Sequence, residues 1–169
     1  MAKSVDYVPV RLTRRYREAQ DNEKFRSWLT MQSSVMEIVF PIHDVPALRG
    51  TMFTEEGLQI AESELLARFD DEASAYSDDN LTLAMRFVYF IGETFRRHFE
   101  GEWVVLPQDE SRGGGALQAV DLPFRESFTR PLDLMGIALV RRSGEEISRV
   151  FGYAQRDYDT WVAADRLSL

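Results

Sequence analysis

The stretch Asn80-Leu-Thr-Leu-Ala-Met-Arg-Phe-Val-Tyr-Phe-Ile-Gly-Glu-Thr-Phe-Arg-Arg-His-Phe99 carries the most information about the fold. Leu81, Leu83, Ala84, Met85, Phe87, Val88, Phe90 and Ile91 cover most of a helical circumference, and a helix apolar nearly all round is a buried one. The spacing predicts a central core helix running to Phe99, capped at its start by Asn80. Arg86, Tyr89, Glu93, Arg96 and Arg97 form the polar stripe on the opposite side. Glu93 and Arg97 stand four apart in the favourable order, worth about 0.2–0.5 kcal/mol. Gly101 is placed to end the helix in the left-handed conformation.

Upstream, Thr54 opens a second helix, with Glu55 and Glu56 complementing the positive end of its dipole. Leu58, Ala61, Leu65, Leu66 and Phe69 repeat at helical spacing, and the helix is expected to end near Asp70. Earlier still, Phe25, Trp28 and Leu29 predict an amphipathic helix ending near Ser33. Val35 to Ile42 is β-branched and interrupted by Pro41, which predicts a short edge strand.

Downstream, Trp103–Leu106 and Leu117–Leu122 read as two strands joined by the polar, glycine-rich segment 107–116. Pro131 suits the first turn of a further helix with Leu132, Met135, Leu139 and Val140 as its buried stripe. Ser143-Gly144 breaks it. Ile147, Val150, Phe151, Ala154, Tyr158, Trp161 and Val162 repeat at helical spacing, although 136–142 and 147–153 could instead pair as a hairpin. The expected fold class is α+β: one domain over residues 1–169, helices around a central buried helix, and a small antiparallel sheet. Residues 1–20 are expected to form a flexible N-terminal segment.

Composition removes several function classes. The 169-residue chain has a net charge of −8, unfavourable for phosphate-backbone binding, so no nucleic-acid partner is expected. It has no cysteine, which excludes disulfides, thiolate nucleophiles and Cys-based zinc sites. No apolar run approaches the roughly 20 residues of a membrane span. The N-terminus lacks an apolar leader, so the expected location is cytoplasmic, with no membrane partner. No metal and no cofactor is expected.

Motifs of catalysis are missing too. His43 and His98 are the only imidazoles, and neither is accompanied by a nucleophile and an orienting carboxylate. His98 reads as a helix C-terminal cap. Arg11, Arg14, Arg15 and Arg17 read as a solvated helix face or an anion patch. Asp70, Asp71, Glu72, Asp78 and Asp79 form an acidic stretch without calcium-loop spacing, a solvated loop or a contact for a basic partner. Gly113-Gly114-Gly115 precedes a strand and is followed by no Lys-Ser/Thr, unlike a phosphate-cradling loop. It reads as a hairpin tip, either without a partner or inserting into another protein's cleft. In the second case Gln108, Asp109, Glu110, Arg112, Gly113, Gly114, Gly115 and Gln118 are the candidate partner-binding residues. No catalytic residue is assigned. A hydrolase working through paired carboxylates survives as an alternative, because spacing along the chain cannot locate such a pair.

Phe53-Thr-Glu-Glu-Gly-Leu58, Ala61-Glu62, Leu65-Leu-Ala-Arg-Phe69, Arg86-Phe-Val-Tyr-Phe-Ile-Gly-Glu-Thr-Phe-Arg-Arg97 and Gly101-Glu-Trp-Val104 together resemble a group of small actinobacterial cytosolic proteins. The likeness spans roughly residues 53–106 and weakens through Pro123-Phe124. In length, acidity, glycine-rich loop and lack of catalytic motifs, the whole chain is also similar to the mycobacterial immunity factors that neutralise the tuberculosis necrotizing toxin, a secreted NAD-degrading enzyme. That resemblance implies a cytosolic, non-enzymatic protein that binds an NAD glycohydrolase toxin and occludes its active site. A regulatory or scaffold protein with another partner is the alternative.

Overall fold

The computed structural model describes residues 7–107 and 117–167. Its axis is the predicted core helix, α5 (Leu81–His98). Phe87, Phe90, Ile91 and Phe95 on this helix, and Phe99 just past it, are fully buried. Their rings meet Phe40, Phe53 and Phe69 on one side and Phe124, Phe151 and Tyr158 on the other. Fully burying one such side chain is worth about 1.5–3 kcal/mol, so the aromatic spine contributes several such increments to the core.

Six other helices precede and follow it: α1 (Arg14–Ala19), α2 (Glu23–Glu37), α3 (Glu55–Arg68), the short α4 (Glu72–Ala75), α6 (Pro131–Arg141) and α7 (Glu146–Ala163). Helices α2, α3 and α6 pack on α5, and α7 packs on α3 and α6. The strands are β1 (Glu102–Leu106) and β2 (Leu117–Asp121), antiparallel, with Glu102 opposite Asp121 and Leu106 opposite Leu117. Thr129 adds one bridge to Val120. The sheet lies against α5 and α6 on one side and meets α1 at its edge. The architecture is α+β, mostly helical with one small antiparallel sheet, as the sequence predicts.

Several local expectations hold for the expected reasons. The Thr54 hydroxyl accepts from the Gly57 N–H at 2.9 Å and starts α3. Pro131 stands in the first turn of α6. Arg142 (φ +51) and Gly144 (φ +79) reverse the chain between α6 and α7, so 136–153 is a helical pair and the hairpin alternative is excluded.

Other expectations are corrected. Val35–Ile42 is no strand: α2 continues to Glu37 and a π turn follows over Phe40–Asp44. Met36 and Phe40, four apart, both enter the core, so tertiary burial overrides β-branched propensity. Asn80 does not cap α5 with its side chain; its amide donates to the Ser74 carbonyl at 2.9 Å and fastens the turn below α4. Glu100 (φ +54), not Gly101, takes the left-handed conformation after α5. Gly101 has a different constraint: a Cβ there would lie 2.9 Å from Val120 and Leu122 side chains. Val140 is 74 % exposed rather than part of the buried stripe of α6, and Leu134 and Ala138 are buried instead. Val10–Leu12 form a short 3-10 turn ahead of α1. The acidic stretch 70–79 contains α4, whose cap is Asp71, accepting from the Ser74 N–H at 2.7 Å.

Candidate functional site

The polar stripe of α5 is covered at its middle, where Tyr89 and Glu93 are buried, while Arg97 is exposed. Glu93 is only 3 % exposed, because the indole of Trp103 on β1 lies across the helix. That crossing depends on Gly92, where a Cβ would approach the Trp103 ring to 2.1 Å. Tyr89 stacks on the indole with centroids 5.4 Å apart, and Trp28 of α2 meets it edge-on at 5.6 Å. Glu93 then collects Arg96 Nη2 and Arg97 Nε on one oxygen, and Arg96 Nε and Trp103 Nε1 on the other, all at 2.8 Å. Burial opposes its ionisation, but these four donors outweigh burial and hold its pKa below the usual carboxylate value. Above the group, Thr30, Ser33, Ser34 and Tyr89 line an open concavity of about 440 Å³.

A second buried carboxylate lies at the α3–α7 junction. Glu62 is fully buried and accepts the backbone N–H groups of Glu146 and Ile147, each at 2.9 Å. It thus caps α7 from another helix. Burial raises its pKa despite these bonds. Glu146, beside it, accepts from Ser143 Oγ, Arg141 and Arg149, which lowers its own pKa, with Ser143 the largest cause. These two glutamates are the carboxylate neighbours that sequence spacing could not find. One caps a helix and the other is held by two arginines and a serine, an arrangement suited to fastening α7.

The sequence-predicted partner-binding residues divide in two. Gln108, Asp109, Glu110, Arg112, Gly113, Gly114 and Gly115 lie outside the described residues. Gln118 is half-buried on β2, opposite Val105. On the other side of Val105, the Gln20 side chain donates to its carbonyl at 2.8 Å and accepts from its N–H at 3.0 Å, imitating a neighbouring strand. Backbone groups on a free strand edge recruit other strands, so Gln20 blunts the β1 edge.

The arginine cluster is dispersed. Arg11 binds Asp121 with Nε and Nη2, and reaches the carbonyls of Arg125 and Glu126. Arg14 pairs with Glu18. His98 is exposed near the end of α5, its Nε2 3.0 Å from the Phe53 carbonyl oxygen. His43 is exposed in the π turn. Among the described residues no group of three His, Asp or Glu could hold a metal ion, and no helix is long and apolar enough to cross a membrane.

Sequence reasoning missed Glu62 and Gln20. Glu62 had a signal: it lies on the same face as Leu58, Ala61 and Leu65, a polar residue within a buried stripe. Gln20 had none, because its partner is 85 positions away. Comparisons with family models, with curated proteins and with solved structures found no match for the chain.

Proposed function

We propose that this chain acts by stoichiometric binding to another protein, as an immunity factor that occludes the active site of an NAD-degrading toxin. One observation favours binding over acid–base catalysis. Among the described residues the buried carboxylates are Glu62, Glu93 and Glu146, and each is committed to a helix end, an arginine or an indole that holds the fold. A catalytic acid or base needs a lone pair or proton directed at substrate. The nature of the partner rests on the sequence resemblance, and the contact is centred on residues 108–118, where the strands hand the chain over at the Leu106–Leu117 end of the sheet.

The test is a titration of this protein into a secreted NAD-degrading toxin while NAD consumption is followed. Hydrolysis should fall linearly to zero at one equivalent, with a one-to-one complex in native mass spectrometry. Gly114→Trp should weaken that complex without changing the unfolding midpoint. Undiminished hydrolysis, with no complex formed, would remove the toxin as partner.

A further inference from the structure

Helices α4 and α6 leave a groove of about 460 Å³ between them. Tyr76, Leu132, Ile137 and Val140 give it apolar walls, and Glu72, Asp133 and Arg141 are its charged lining. Ile137 is 42 % and Val140 74 % exposed, one turn apart on the outer face of α6. Two large aliphatic side chains at this spacing, beside a half-buried tyrosine and leucine, form a continuous apolar strip rather than scattered surface residues.

Carboxylates outnumber cations in and around the groove, with Glu72 and Asp133 against Arg141 in its lining. Glu72 lies against α6 at Gly136, where a Cβ would sit 2.7 Å from its Oε1. The Tyr76 phenol is pushed up to about 12, by burial first and then by Glu72 and Asp133. The basic groups nearby are already engaged. Arg141 pairs with Glu146, Arg130 with Asp133, and Arg142 with the carbonyls of Leu66, Phe69 and Asp70. Asp70, Asp71, Glu72, Asp78 and Asp79 are exposed, and none of the five forms an ion pair with a described basic side chain. An apolar strip bordered by unneutralised carboxylates complements one kind of surface: apolar side chains flanked by lysine or arginine.

We propose that the α4–α6 groove docks a cationic amphipathic helix of a partner protein, its apolar face on Ile137 and Val140 and its basic residues against Glu72 and the neighbouring aspartates. Helix-in-groove recognition of this kind reads apolar anchors at i, i+3 and i+4. The inference builds on the protein-binding reading and assigns it a surface distinct from residues 108–118. It does not depend on the partner being a toxin.

The probe is an 18-residue Leu/Lys amphipathic helical peptide, titrated into the isotopically labelled full chain and followed by amide NMR shifts. Shifts should concentrate on residues 70–79 and 131–142. Binding should weaken with added salt, because the charged component is screened. Ile137→Ser with Val140→Ser, and separately Glu72→Gln, should each weaken binding at least tenfold. Asp159→Asn, on the exposed face of α7, should leave it unchanged. Equal binding of a Leu/Glu peptide, shifts spread over the whole acidic surface, or no shifts would overturn the proposal. So would concentration-dependent dimerisation abolished by the serine pair, which would make the groove a contact between copies of this chain. Circular dichroism of each variant separates lost binding from lost folding. NAD hydrolysis is not read in this experiment, so the groove and the toxin assignment can fail independently.

Discussion

Glu93 gathers more of the molecule than any neighbour on its helix. Its carboxylate joins two arginines of α5 to the indole of β1, and so couples the core helix to the sheet. Replacing it by glutamine keeps the shape, removes the charge and points an amide N–H₂ at donors. Glu93→Gln is expected to lower the unfolding free energy at pH 7 by about 1–3 kcal/mol, measured by urea denaturation. The pH dependence has a defined sign. The folded pKa lies below the ordinary 4.5, so the contribution is present above that value and is lost as pH falls through the lowered one. The gap between wild type and variant should therefore narrow on acidification. Glu62 behaves oppositely: its folded pKa is raised from 4.5, so its protonation-linked contribution is present below that value and lost as pH rises through the raised one. A gap for Glu93→Gln that is constant down to pH 2 would show that the loss comes from the misdirected amide N–H₂ and not from the charge of the carboxylate.

Two helical glycines separate packing from propensity at the scale of whole elements. Gly92 in α5 makes room for Trp103, and its Cβ would also come within 2.7 Å of Pro131. Gly152 in α7 has nothing within 4 Å of where a Cβ would stand. Alanine in a helix interior gains roughly 0.5–1 kcal/mol over glycine, while overpacking costs about 1–3 kcal/mol. Gly152→Ala should therefore stabilise the protein by about 0.5–1 kcal/mol. Gly92→Ala should destabilise it by about 1–2 kcal/mol net and change the tryptophan emission, because the indole must leave its place over the helix. A stabilising Gly92→Ala would mean that the Trp103–Tyr89 stack is loose. Helical periodicity alone marks both glycines as weak points and cannot rank them, since the difference lies in what crosses each helix.

For the molecule as a whole, Arg11 ties the described N-terminal segment to the far end of the sheet, beside the contacts of Tyr16 and Gln20. The Arg11 guanidinium lies over the Phe128 ring at 4.3 Å while bonding Asp121 and two carbonyls of the β2–α6 connection. It links the beginning of the chain to residues 110–115 positions later. Arg11→Ala should release the segment through α1. Tryptic cleavage after Arg14, Arg15 and Arg17 should then accelerate about tenfold, the factor that 1.4 kcal/mol of local stability supplies. The core around α5 should unfold at an unchanged midpoint. Unaltered cleavage would assign the anchoring to Tyr16, which packs on Phe128 at 5.8 Å, and not to the arginine.

Elements with local signals could be placed from the order of residues alone. The apolar circumference of 81–99, the Thr54 cap, Pro131 in a first turn and Ser143-Gly144 between helices each depend on residues within one or two turns, and each is present in the structure. The absence of cysteine excluded disulfide and thiolate chemistry in the same way. Tertiary structure decided everything that depends on what covers what. Val35–Ile42 has strand-like composition but supplies Met36 and Phe40 to a core built by other helices. Val140 matches a buried stripe yet faces solvent, because α5 and α7 meet α6 on its other sides. Glu93 looks like a surface glutamate until Trp103 closes over it, and Glu62, although on an apolar face, shows its role only when α7 begins on it. Burial is a property of pairs of elements, and the free energy that ionises, caps or exposes a side chain is set by partners that can lie eighty positions away.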